Sequence, residues 1–151
     1  MEQKNQIWDE YNKFKKDYEL SLKHNKTLPD MIKEIMSEKN MTIELLHEKS
    51  NISTSTIHRL RSGKLKTRTR IVEYKPYIST IIAFAIACEL DMILTITLLE
   101  SQGLSFKRTS EVHYAYCYLI LNCRGNTIDE CNEKLKELGI EEQYYIPNRL
   151  I

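Results

Sequence analysis

Apolar residues recur along most of this chain at steps of three and four, the spacing that lines one face of an α-helix. Between charged positions of residues 5–24 stand Ile7, Trp8, Tyr11, Phe14, Tyr18 and Leu22, which predicts an amphipathic N-terminal helix. Its stripe has two readings. Packing against the rest of the monomer is the preferred one; the alternative is a dimer arm, because the spacing is also heptad-like. A second helix opens at Thr27-Leu28-Pro29-Asp30, with Thr27 or Leu28 before a proline at the first helical position, and buries Met31, Ile32, Ile35 and Met36.

Further along, residues 79–90 and 92–102 form two strongly apolar helical segments, parted near Asp91 and ended by Gly103. A helix over about 108–123 puts Val112, Ala115, Tyr116, Leu119 and Ile120 on its inner side. The next starts at Thr127-Ile128-Asp129-Glu130, a capping box in which Thr127 and Glu130 are expected to satisfy each other's free amides. Its stripe is Ile128, Cys131, Leu135 and Leu138, closed by Gly139. Only Lys64–Tyr77 departs from helical rhythm, alternating in a β-like way. Residues 141–151 read as a tail, and no internal repeat is visible.

The centre of the chain is more specific. Thr42 caps a short helix with Ile43 and Leu46 pointing inward; Asn51 stands where the following turn needs positive φ, and Ile52 plugs the gap. Ser53 then caps a second short helix whose buried pair is Ile57 and Leu60. At ~100° per residue the opposite face carries Ser55, His58, Arg59 and Ser62, flanked by Thr54 and Thr56.

Charge sharpens this picture. The net charge is only +1, yet residues 49–72 hold seven Lys/Arg and no acid, while 129–142 hold six acids and two lysines. A basic patch beside a short polar helix suits nucleic acid despite a near-neutral total. Small hydroxyls let a helix approach base edges, and Arg59 can take guanine bidentately, worth ~1–3 kcal/mol of discrimination. Lys64, Lys66, Arg68 and Arg70 suit phosphates, which give affinity without sequence information. The competing view is a solvated helix beside a solvated loop; the combination of turn, cap, buried pair and acid-free continuation weighs against it.

On these residues, 28–102 resemble the lambda-repressor/Cro-type (XRE-family) helix-turn-helix domain. The resemblance rests on Thr42, Glu44, Leu46, Ile52-Ser53, Ser55-Thr56-Ile57, Arg59, Gly63 and the apolar helix Ile81–Leu90. Residues 104–140 are similar to a C-terminal helical extension on some regulators of this family from Gram-positive bacteria. The resemblance implies base contacts at Thr54, Ser55 and Arg59, and backbone contacts near Thr42, Ser62, Lys64 and Lys66. The helix geometry adds His58 to the base-reading set and Thr56 to the backbone set, and the charge of the following loop adds Arg68 and Arg70 to the latter. Two departures stand out. His47 occupies a position where the family prefers a small residue, and the stretch after Gly63 is longer than usual. That stretch is either a small β-wing reaching the minor groove or a hairpin that displaces the usual contacts.

Other chemistries find little support. His47-Glu48 begins the zinc-protease pattern H-E-x-x-H, but Asn51 stands at its fifth position. His47 reads as a packing or rim residue, His113 as a surface or packing residue, and His24 as part of a linker. Cys88, Cys117, Cys123 and Cys131 lack CxxC spacing and read as reduced cytosolic thiols; a zinc site from His113 with three of them is the lesser alternative. Glu89 and Asp91 interrupt the apolar run from Ile81 to Leu99, and a charge at mid-membrane costs roughly 2.5–3.5 kcal/mol, so this run is core. No phosphate loop or nucleophile elbow appears, so no enzyme and no cofactor is expected.

The expectation is therefore an all-α protein built on a five-helix lambda-repressor-like domain at 27–103. A helix at 1–26 precedes it, a helical extension at 104–140 follows, and a tail at 141–151 ends the chain. As a cytoplasmic transcriptional regulator it would bind double-stranded DNA as a homodimer, away from membranes, with any small-molecule effector undefined. The rival is a protein-interaction module of antitoxin or adaptor type, since fold alone does not settle function. RNA binding is a third option, with Tyr74 and Tyr77 as the nearest stacking aromatics.

Overall fold

A computed structural model describes residues 2–21 and 26–147, with the side chains of the first segment described over 5–15. Leu22, His24 and the last four residues of the tail lie outside the described residues. Among the described residues eight α-helices run in order: α1 Glu2–Ser21, α2 Leu28–Glu38, α3 Ile43–Ser50, α4 Thr54–Ser62, α5 Ile78–Ala87, α6 Met92–Ser101, α7 Glu111–Asn122 and α8 Ile128–Glu137. Between α4 and α5 sits a hairpin of β1 (Lys64–Lys66) and β2 (Ile71–Glu73), antiparallel, with Leu65 opposite Val72. The fold is all-α with a small wing, as the residue pattern predicts.

Local chemistry explains most boundaries. Thr27, Thr42, Ser53, Asp91, Ser110 and Thr127 each accept a backbone N–H of the first turn they cap. Thr27 is the cap of α2, so Leu28 takes the first helical position and Pro29 stands one residue deeper in the first turn. The capping box of α8 also differs from expectation. Thr127 Oγ1 accepts from Glu130 N at 3.1 Å, but the Glu130 carboxylate takes the Thr127 hydroxyl and not its amide. Once the hydroxyl oxygen has accepted the amide, its own proton is free to satisfy the carboxylate.

Helix α5 is the centre of the molecule. Every residue from Ser79 to Ala87 is buried, as a helix apolar on all sides must be. It touches α3, α6, α7 and α8, while α2 packs on α4 and α6. One continuous core thus runs from Leu28 to Ile146, so the segments 27–103 and 104–140 share it. The tail is tied down too. Asn132 grips both backbone groups of Ile146, at 2.8 and 2.9 Å, and the Tyr116 hydroxyl donates to the Tyr144 carbonyl at 2.6 Å.

Helix α1 behaves otherwise. Ile7, Trp8, Tyr11 and Phe14 remain 52–65% exposed. The expected packing of this stripe against the monomer is therefore not met over its described part. Periodicity identifies an apolar face without saying what covers it.

Candidate nucleic-acid interface

The turn between α3 and α4 sets how α4 is presented. Asn51 takes φ 58°, the left-handed conformation foreseen for it, and Ile52 is buried. Both backbone groups of Ile52 are held by side chains of α3. Its N–H donates to Ser50 Oγ at 3.0 Å, and its carbonyl accepts from His47 Nδ1 at 2.6 Å. Ser50, wholly buried, donates in turn to the Leu46 carbonyl at 2.6 Å. His47 is thus a rim residue that replaces the close helix contact of a small side chain with a hydrogen bond across the turn.

Leu60 and Ile57 anchor α4 in the core. Thr54, Ser55, His58 and Ser62 are exposed, whereas Thr56 and Arg59 are half-buried. A hydroxyl network runs along the N-terminal turn. Ser53 Oγ accepts from Thr56 N, donates to Thr56 Oγ1 at 2.9 Å and lies 3.3 Å from Ser55 Oγ. Arg59 lies close enough to the wing side for its charge to act on Tyr74: burial pushes the Tyr74 phenol up, the Arg59 charge opposes that, and Tyr77 adds to the rise. Arg61, half-buried on the flank of α4, was not among the sequence candidates.

Gly63 ends α4 at φ 72°, and the chain turns at once into β1. Ser62 Oγ accepts from Lys64 N at 3.2 Å, and Tyr74 N donates to the Gly63 carbonyl at 2.9 Å, so the wing springs directly from the end of α4. Its tip is closed by Thr67, which donates to the Arg70 carbonyl from both N and Oγ1 and accepts from Arg70 N. Lys64, Lys66, Arg68 and Arg70 are all exposed. Lys64, however, stands opposite Glu73 across the hairpin. Positive charge without an acid facing it is concentrated at Lys66, Arg68 and Arg70. Thr42 lies exposed at the start of α3, its Oγ1 accepting from Leu45 N at 3.0 Å.

The remaining candidates fall elsewhere. His113 accepts from Lys107 N at 2.8 Å and stacks on Tyr116 with ring centroids 6.2 Å apart; burial, then the Lys107 charge, lower its pKa. All four cysteines are free thiols, and among the described residues no group of three or more His, Cys, Asp or Glu gathers as a metal site. No helix among them is long and apolar enough to cross a membrane.

Two short helices joined by a tight turn, the second exposed and running into a basic hairpin, define a helix-turn-helix. Residues 31–72, from α2 to β2, match the family model of the Cro/C1-type HTH DNA-binding domain. This stretch is similar to that domain, whose description is of DNA binding. Nothing among curated proteins or solved structures matches the chain.

Proposed function

We propose that this protein is a sequence-specific transcriptional regulator that acts as a homodimer on two-fold-related DNA. In this reading α4 lies in the major groove, with Thr54, Ser55, His58 and Arg59 at base edges. Thr42, Thr56, Ser62, Lys64, Lys66, Arg68 and Arg70 meet the backbone, and half-sites lie about one helical turn apart. One observation carries it: the open polar face of α4 adjoins the uncompensated cations of the wing. The hydroxyls supply short-range donors and acceptors, and the wing supplies charge that works on any sequence.

A second reading, a protein-interaction module, draws on the exposed Tyr114, Tyr118 and Leu121 of α7, which lie on an element outside the helix-turn-helix. Selection of genomic fragments by the purified protein, followed by salt titration, separates the two. Enrichment of one motif, with Arg59→Ala relaxing a single position, supports the regulator. Failure to enrich any motif, or equal loss on specific and random DNA, goes against it.

A further inference from the structure

The exposed stripe of α1 carries a register. Ile7, Tyr11 and Phe14 are spaced four and three apart, the d, a and d positions of a heptad, and in the sequence Tyr18 takes the next a position. Trp8 and Lys15 then fall on e, and Glu10 on g. Trp8 packs edge-to-face on Tyr11, with centroids 5.9 Å apart, which widens the apolar seam. Most of a helix's stability comes from packing of its apolar face rather than from propensity, so a face this apolar on a helix of twenty residues calls for cover.

The charges choose the cover. In a parallel pair, g of one helix meets e of the other one heptad on, which sets Glu10 against Lys15 of the second copy twice by symmetry. In an antiparallel pair g meets g, and the charged g positions, Glu10 and Asp17, are both acids. We propose that α1 pairs with α1 of a second copy of this chain as a short parallel coiled coil, seamed by Ile7, Tyr11 and Phe14 and registered by Glu10 and Lys15. This deepens the homodimer reading above and rests on it. Parallel helices about a two-fold axis leave both copies of α4 related by that same axis, as a two-fold operator requires.

The test is sedimentation of the full chain with charge reversals. Glu10→Lys and Lys15→Glu should each weaken the dimer about three- to tenfold, and the double variant should return within about twofold of the parent. In a Cys117→Ser background, a short bismaleimide should join Ile7→Cys to its own copy and leave Asp9→Cys, on the outer side, unjoined. A monomeric parent overturns the pairing, as it would if the stripe folds onto its own α6 and α7. A dimer indifferent to both reversals overturns it as well, and assigns association to another face such as that of α7. Double reversal without recovery, or cross-linking at position 9 equal to that at position 7, does the same. Fragment enrichment measured on these variants keeps the outcomes apart: motif selection that survives loss of the dimer leaves both the α1 pairing and DNA recognition standing and overturns only the need of a dimer for that recognition.

Discussion

His47 Nδ1 donates to the carbonyl of Ile52 at 2.6 Å, spanning the turn that joins the two helices of the DNA-binding motif. The bond fixes a proton on Nδ1 and ties α3 to the residue that plugs the motif's interior. Replacing His47 by alanine, the kind of small residue the family prefers there, removes the bond without filling space. The expected cost is about 0.5–1.5 kcal/mol, read by urea denaturation, with faster amide exchange around Ile52 and Ser53. An unchanged unfolding midpoint would show that the bond is idle.

Ser50 is the more demanding partner, because it is buried and serves both the Leu46 carbonyl and the Ile52 amide. In Ser50→Ala the Ile52 N–H loses its acceptor away from water. Such an orphan costs about 1–3 kcal/mol, so this variant should unfold earlier than His47→Ala. The reverse order would mean that water reaches the turn.

Gly63 carries two constraints at once. Its φ is 72°, and a Cβ there would meet Pro29 Cγ at 2.7 Å. Gly139 has φ 78° and nothing within 4 Å of a Cβ, so it isolates the backbone part. Gly139→Ala should cost about 1–2 kcal/mol for the left-handed conformation. Gly63→Ala should cost clearly more, because a proline ring at the start of α2 has little room to yield. Equal losses would mean that α2 and α4 can separate there freely.

What was legible in the chain was local. Thr42, Asn51, Ser53 and Gly63 declare caps and turns through their own backbone chemistry, and the three-four rhythm gives the helices. What stayed hidden depends on meetings across sequence. The grip of Asn132 on Ile146 joins residues 14 apart and that of Tyr116 on Tyr144 residues 28 apart, so nothing in either neighbourhood announces the pairing. Glu73 lies just beyond the acid-free run, and only the hairpin register brings it opposite Lys64. Likewise, the wheel puts Arg59 on the outer face of α4, but its half-burial and the nearness of its charge to Tyr74 emerge only when the chain beyond the wing folds in.

Burial also sets an alkaline limit. The Tyr116 phenol, ordinarily near 10.0, is pushed up to about 12 by burial first and the Tyr144 phenol second. Burial likewise pushes the Cys88 and Cys131 thiols from 9.0 to about 12. Each group holds its proton more tightly folded than unfolded, so its contribution is complete below the unfolded value and drains away as pH rises toward 12. Stability followed by urea denaturation should therefore fall from about pH 9 upward. Tyr116→Phe should flatten the part of that fall above pH 10, at the expense of the bond to Tyr144. A fall of unchanged steepness would assign the alkaline loss to other groups.

The wing offers a graded test of where its charge acts. If Lys66, Arg68 and Arg70 each neutralise a phosphate, each alanine substitution should lower the slope of log affinity against log salt by about 0.9, alike on specific and random DNA. Lys64 faces Glu73, so part of its field is already cancelled, and Lys64→Ala should change the slope less than Lys66→Ala. Glu73→Gln should then strengthen binding to every sequence at low salt, an effect that fades as screening shortens the reach of the charge. A Glu73→Gln protein that binds no better than its parent would mean that Lys64 is not checked by Glu73, and that the wing presents four equivalent cations rather than three and a neutralised fourth.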